Sequence, residues 1–395
     1  MTLGAALGVA LVSGCVTPTP PKPKLTLKPV SFTQLPGWHA DHVARAIPAL
    51  LKSCARRLAQ PVTAAVGPGG LAGTVADWEA PCAAAARLPT GADAAARHFL
   101  RRWFRPYLAG NNGNPNGLFT GYYEPLLQGA RTQGGPDETP ILRRPADLVM
   151  VALGLFRPEW RGDRIAGRVV NGRLVPYPTR AEIERGAIDA KKLALFWVRD
   201  PVAAFFLQIQ GSGKVRLPDG QLVSVGYAGQ NGRPYVSIGR LLVKRGELAK
   251  SAVSLASIKG WIAAHPVRGR ALMDDNPSYV FFRIVKGPTP IGAEGAALTP
   301  RRSLAVDRAF LPLGIPIWLD LEHGDTPMRR LVVAQDTGGA IRGPVRGDFY
   351  WGAGPEAARK AGGMIAHGRY FLFLPKGLRK AKTGQRRTGS RPQLP

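Results

Sequence analysis

Apolar residues recur every three or four positions through residues 43–58 and 94–104, a spacing that predicts two amphipathic helices. Residues 77–87 read as a third helix, with Cys82 inside it and Pro81 near its first turn. An Asn- and Gly-rich cluster at 111–117 breaks this pattern. Beyond it, short apolar runs bounded by Gly and Pro predict strands at 205–210, 215–217, 221–227, 279–285, 315–321, 331–334 and 369–374. Pro218, Asp219 and Gly220 form a hairpin turn between two of them. Helical spacing returns only in patches, at 179–185 and 238–264. The pattern predicts an α+β chain, mainly β, with barrel-like sheets and a helical N-terminal region. No fixed-period repeat is visible.

Composition adds a partner class. A chain of 395 residues with 45% hydrophobic content is long enough for two domains with real cores. Its net charge of +28 implies an anionic partner or surface: nucleic acid, acidic lipid or acidic polysaccharide. Seven basic residues and no acidic one lie between Lys376 and Arg391, so part of the surplus belongs to a solvated, disordered tail. No zinc finger, RNA-binding aromatic signature or P-loop accompanies the charge, which argues against nucleic acid.

The N-terminus carries an address. Residues 3–12 are small and apolar and run into Val12, Ser13, Gly14 and Cys15, the pattern of a bacterial lipobox in which Cys15 becomes the acylated first residue. A plain secretory signal with an incidental Cys is the other reading. No Lys or Arg precedes the run, which points to a start upstream of Met1. A Pro- and Lys-rich tether follows. An exported chain with two further cysteines, Cys54 and Cys82, invites a disulfide between them; two separate buried thiols are the alternative. No metal-ligand spacing is visible, and nothing calls for a cofactor.

The chemistry concentrates late in the chain. Residues 331–334 deliver Asp336 into a Gly-rich turn, and a second acid, Asp348, precedes Phe349, Tyr350 and Trp351. A carboxyl set among rings and glycines is desolvated and held protonated toward neutral pH, fit for a general acid. From this stretch alone, a turn cap at Asp336 and a solvated loop at Asp348 are the favoured reading, which the rest of the chain shifts. The FTGYYEP stretch at 119–125 offers Tyr rings next to a Gly and an acid, a plausible sugar platform, although Tyr122 serves as well in a core. Stretches 206–214 and 225–240 are dense in Gln, Ser, Asn and Tyr, which bond hydroxyls and amides without titrating. Asp307 lies between apolar runs near Pro312 and Gly314, and its expected work is to hold the donors of a turn.

The order FTGYYEP, LQIQGSGKVRLPDGQLVSVGYAGQNGRPYVSIG, NPSYVFFR, AVDRAFLPLGIPIW and AQDTGGAIRGPVRGDFYWGAG resembles the membrane-bound lytic murein transglycosylase A family. The last part resembles the "3D" domain, whose three Asp match Asp307, Asp336 and Asp348. The resemblance implies a double-psi β-barrel with a second, β-rich domain inserted and a glycan in the groove between them. It also implies non-hydrolytic cleavage of the β-1,4 bond between N-acetylmuramic acid and N-acetylglucosamine, leaving a 1,6-anhydromuramoyl end. Carried over by position, Asp348 is the single acid/base, Asp336 supports it and Asp307 is structural. Thr120, Tyr123, Gln210, Gly211 and Ser212 are the matches for glycan contacts. The domain reading is a signal at 1–15, a tether at 16–38, and helices with the first part of the barrel at 39–122. An inserted glycan-binding domain follows at 123–283, then the rest of the barrel at 284–375 and a basic tail at 376–395. The expected partners are peptidoglycan glycan strands and, through the lipid on Cys15, the outer membrane facing the periplasm. A non-catalytic glycan-binding module and an inverting glycosidase are the competing functions.

Overall fold

The structure, a computed structural model, describes residues 21–160, 163–287, 290–324 and 327–378. Cys15 and the basic tail from residue 379 onward lie outside the described residues.

Helices Ile47–Leu58, Ala76–Ala86 and Asp93–Trp103 build the N-terminal region, close to expectation. The second starts a residue early, where Asp77 accepts from the Thr74 amide, so Pro81 falls inside the helix and not in its first turn. Cys54 and Cys82 join the first two helices as a disulfide. These helices do not form a separate body, for Trp78, Phe99 and Phe104 share one core with Leu304, Val332 and Phe373.

That shared core fills a barrel. β1 (Leu25–Pro29) pairs with β2 (Phe104–Asn111), and β3 (Gly117–Glu124) follows. The chain then leaves for another body and returns as β13 (Ser303–Val306), β14 (Pro316–Glu322), β15 (Met328–Asp336), β16 (Arg346–Ala353) and β17 (Ile365–Pro375) once β4 to β12 are complete. The order β17-β14-β15-β13-β16-β3 closes on itself because the N-terminal part of β17 pairs with β3. Its C-terminal part pairs with β2, which adds β1 and β2 as an outer flap. The expected closed barrel is therefore present, with parallel pairs at β13–β15 and β16–β3. Ile317, Leu319, Val332 and Leu372 are fully buried, and so are their strand neighbours Trp318, Leu331, Val333 and Phe373, so both faces of these strands are covered.

The departing body is itself β-rich. β4 (Leu126–Ala130), β5 (Thr139–Leu142), β9 (Ala194–Val198), β10 (Ser212–Arg216), β11 (Leu222–Gln230) and β12 (Val280–Val285) form one sheet, and β6 (Val149–Ala152), β7 (Arg164–Val170) and β8 (Arg173–Pro176) a smaller one. The hairpin at Pro218, Asp219 and Gly220 joins β10 to β11 as expected.

One expectation fails within this body. Residues 205–210 are not a strand but the end of a helix, Pro201–Gln210. Asp200 caps it by accepting from the amides of Val202 and Ala203, Pro201 occupies the first turn, and Gly211 ends it in the left-handed region. The apolar run from Val202 to Leu207 fits a buried helix as well as a buried strand, and the flanking caps decide between them. The helical patch at 238–264 is likewise two helices, Ile238–Lys244 and Leu255–Ala264.

Candidate active site

β16 and β3 run parallel with Asp348 directly opposite Thr120. Register alone thus brings together residues more than two hundred positions apart. The Thr120 hydroxyl donates to Asp348 Oδ1 at 2.6 Å, while Arg346 Nη2 donates to the same hydroxyl at 2.8 Å. Residues 346 and 348 lie two apart on a strand and so share a face. Gly121 beside them has no room for a side chain, because a Cβ there would meet the Trp351 indole at 2.6 Å.

Asp336 ends β15, and its carboxylate is heavily engaged. It accepts from the Tyr122 hydroxyl and from the amides of Ala293 and Thr337, each at 2.9 Å. Burial raises its pKa against these three donors. Tyr122, itself buried and packed on Tyr350, is held well above the usual phenol range by burial and by the Asp336 charge.

Asp348 differs in kind. Burial pushes its carboxyl up; Arg346 and the Thr120 hydroxyl pull it down, and Asp336 pushes it up again, leaving it at about 6. Its side chain nonetheless keeps partial access to solvent. The arrangement provides a carboxyl that carries a proton near neutrality and can deliver it to something in the groove.

The inserted body closes the opposite side. Gln210 Oε1 accepts from the Tyr123 amide at 3.0 Å, tying the end of the Pro201–Gln210 helix to β3. Gly211 and Ser212 follow as the left-handed cap and the first residue of β10. Burial, with a smaller push from the Asp348 charge, raises Tyr235, and burial, with like-charge repulsion from Arg240, lowers Arg346, so Tyr235 is within electrostatic reach of the acid and Arg240 within reach of Arg346. Glu124 is buried, with Lys214 Nζ 3.8 Å away.

Of the residues named from sequence, Thr120, Asp336 and Asp348 are gathered at one place, and Gln210 borders it. Tyr123 lies beside them with 7% of its surface exposed, its ring packed on Ala357 and Ala361. Asp307 accepts from the amides of Ala309 and Gly343, at 3.0 and 2.7 Å. Arg346, Tyr235 and Arg240 escaped the sequence reading. The signal for Arg346 was its position two residues before Asp348; Tyr235 and Arg240 lay within the polar stretch 225–240, where nothing set them apart from their neighbours. Among the described residues, no cluster of His, Cys, Asp and Glu is placed to hold a metal ion, and no helix is long and apolar enough to cross a membrane.

Residues 118–283 match the family described as the MltA specific insert domain, and residues 302–374 match the 3D domain. The membrane-bound lytic murein transglycosylase A of Escherichia coli (strain K12) is 35% identical over 274 residues, covering 67% of each chain. The crystal structure of a membrane-bound lytic murein transglycosylase from Agrobacterium tumefaciens superposes with a TM-score of 0.77 at 32% identity, covering 89% of this chain and 98% of that one. E. coli MltA with bound chitohexaose superposes with a TM-score of 0.58 at 30% identity, covering 72% and 79%.

Proposed function

The chain belongs to the membrane-bound lytic murein transglycosylase A family, and on that premise we propose that it cleaves the β-1,4 bond between N-acetylmuramic acid and N-acetylglucosamine without water. Asp348 is its single general acid/base. The observation that carries this reading is the difference between the two acids: Asp348 holds a proton up to about pH 6, while Asp336 already receives three hydrogen bonds.

An inverting hydrolase needs a second carboxylate free to activate water. Asp336 is poorly suited to that task, because its oxygens are occupied by Tyr122, Ala293 and Thr337. A lyase needs only one group. Protonated Asp348 gives its proton to the glycosidic oxygen, and the resulting carboxylate takes the proton of the muramoyl 6-hydroxyl as that oxygen closes on C1. Both bonds then balance, one broken at C1 and one formed there, with the proton returned to Asp348. An intramolecular hydroxyl held near C1 also gains a large effective concentration over solvent.

The glycan lies in the groove between barrel and insert, against Thr120, Tyr123, Gln210, Gly211 and Ser212. The complex of the E. coli relative with chitohexaose, a six-sugar chain, supports a glycan partner of this kind. Asp307 serves as a structural acid. We place the chain in the periplasm, tethered to the outer membrane by lipid on Cys15. The insert at 123–283 is part of the same proposal, whereas the tether read at 16–38 ends sooner, because Leu25–Pro29 pairs with β2 and Leu35 and Trp38 are buried in the shared core.

Digestion of purified murein in isotopically heavy water tests the reaction. Anhydro ends without label are expected. Labelled reducing ends as the main product would mean hydrolysis, and glycan binding without fragments would favour a binding module.

A further inference from the structure

A second concavity lies on the barrel wall away from the acid pair. It is a cavity of about 470 Å³ lined by Arg45, Arg301, Arg302, Arg329 and Arg330, with Asp41 as its one acidic residue among the described residues. That acid is already engaged: Arg302 grips it with both terminal nitrogens, at 2.7 and 2.9 Å. Arg329 is held by Asp320 at 2.9 Å, and Arg301 reaches Glu356 at 3.3 Å. Arg45 and Arg330 form no ion pair among the described residues, and the Nε of Arg330 is buried without a hydrogen-bond partner. Burial and the charges of Arg302, Arg301 and Arg45 all depress Arg330, with only Asp41 opposing them.

Such a gathering of like charges has an evident ligand chemistry. Planar guanidinium forks match carboxylates in bidentate geometry, and an incoming anion would relieve their mutual repulsion. The position of the cavity narrows the source. Arg330 stands 5.9 Å from the Phe349 ring and Arg301 stands 6.0 Å from the Trp351 ring, both on β16, the strand that carries Asp348. Trp351 is three residues, or about 10 Å of strand, beyond the acid. Phe349 and Trp351 pack together on the face of β16 opposite Asp348, so the stem that reaches the cavity is one carried farther along the sugar strand and not the one beside the acid.

We propose that this arginine cavity binds the carboxylates of a murein peptide stem, holding the substrate strand by its side chain as well as by its sugars. The proposal rests on the murein-cleaving reading above. Its ligand is a short acidic peptide, bound outside the catalytic groove.

The full chain is compared with its Arg45→Gln and Arg330→Gln variants on two substrates: glycan strands bearing their stems, and the same strands stripped of stems by an amidase. Loss of a charge-assisted contact should lower kcat/KM on stem-bearing strands about tenfold or more, leaving stripped strands within about twofold. Equal losses on both substrates, or no loss on either, overturn the proposal. Arg45 is the exposed residue of an otherwise buried 3-10 turn, so its variant guards against a folding artefact at Arg330. Calorimetric titration with the free stem tetrapeptide reads the cavity apart from catalysis. Binding that weakens in Arg45→Gln supports the site even if no strand is cleaved, whereas no peptide binding, or binding of inorganic phosphate alone, overturns it.

Discussion

Thr120 and Asp348 stand opposite each other on parallel strands, and the hydroxyl donates to the carboxylate at 2.6 Å. The bond favours the ionised carboxyl, yet burial outweighs it and leaves Asp348 protonated up to about pH 6. The site thus sits between two demands, being acidic enough to give a proton to the leaving oxygen and basic enough to take one back.

Asp348→Asn keeps the shape of the side chain and removes its proton. Turnover of murein should fall about a hundredfold to ten-thousandfold, with thermal unfolding and glycan affinity nearly unchanged. A folded Asp348→Asn protein that retained wild-type lysis would falsify the assignment.

The pH dependence carries a sign. Cleavage starts from the protonated form, so kcat/KM should be level below about pH 6 and fall roughly tenfold per unit above it. Arg346 and Thr120 both hold the Asp348 pKa down, so Arg346→Gln and Thr120→Val should each move the alkaline limb to higher pH. A limb that stays in place in both variants, or moves lower, would show that another group titrates.

Much of this site was legible in the sequence, for a physical reason. Asp336 and Asp348 were conspicuous because a carboxyl between apolar strands, glycines and rings is costly to desolvate, and Thr120 lay in a block dense in Tyr and Gly. The even pair Cys54 and Cys82 was legible from its number in an exported chain. What escaped depends on pairing across distance. Tyr235 comes within electrostatic reach of Asp348, and Arg240 within reach of Arg346, only because the insert folds back on the barrel, and no local pattern encodes that approach. Residues 205–210 were misread because apolar runs were weighed ahead of the Asp200-Pro201 start and the Gly211 stop.

The disulfide between Cys54 and Cys82 closes a loop of 28 residues that packs against the barrel core. Replacing both by Ser should destabilise the protein by about 3–4 kcal/mol, chiefly by freeing the unfolded chain. Denaturant unfolding with and without reductant measures this. Two alkylatable thiols in the native wild-type protein would contradict the bond.

Gln210 joins insert to barrel through the Tyr123 amide. Gln210→Ala removes the acceptor and leaves that amide without it in a part-buried seam, at a cost of about 1–3 kcal/mol. The expected result is a higher KM with an unchanged pH profile, because the groove loosens while the acid keeps its neighbours. A shifted profile would mean that Gln210 acts on Asp348 itself.

Asp336 separates the two enzymatic readings most sharply, because each assigns its charge different work. In the lyase reading Asp336 sets the field: its negative charge raises the Asp348 pKa, so Asp336→Asn should lower the alkaline limb, opposite in direction to Arg346→Gln. The amide would keep one oxygen for the Ala293 and Thr337 donors, which both bond Oδ1, but would set an NH2 where the Tyr122 hydroxyl now donates to Oδ2, a stability cost of about 1–3 kcal/mol if that hydroxyl is left unpaired. Cleavage should be impaired but still yield anhydro ends. In the hydrolase reading Asp336 is the base for water, and its loss should abolish reducing-end product altogether, with no compensating shift of the pH limb. Measuring the pH profile and the product ends of one variant decides between them. A lowered limb with anhydro product retains Asp336 as supporter, and a dead enzyme that is folded and binds glycan makes it the base.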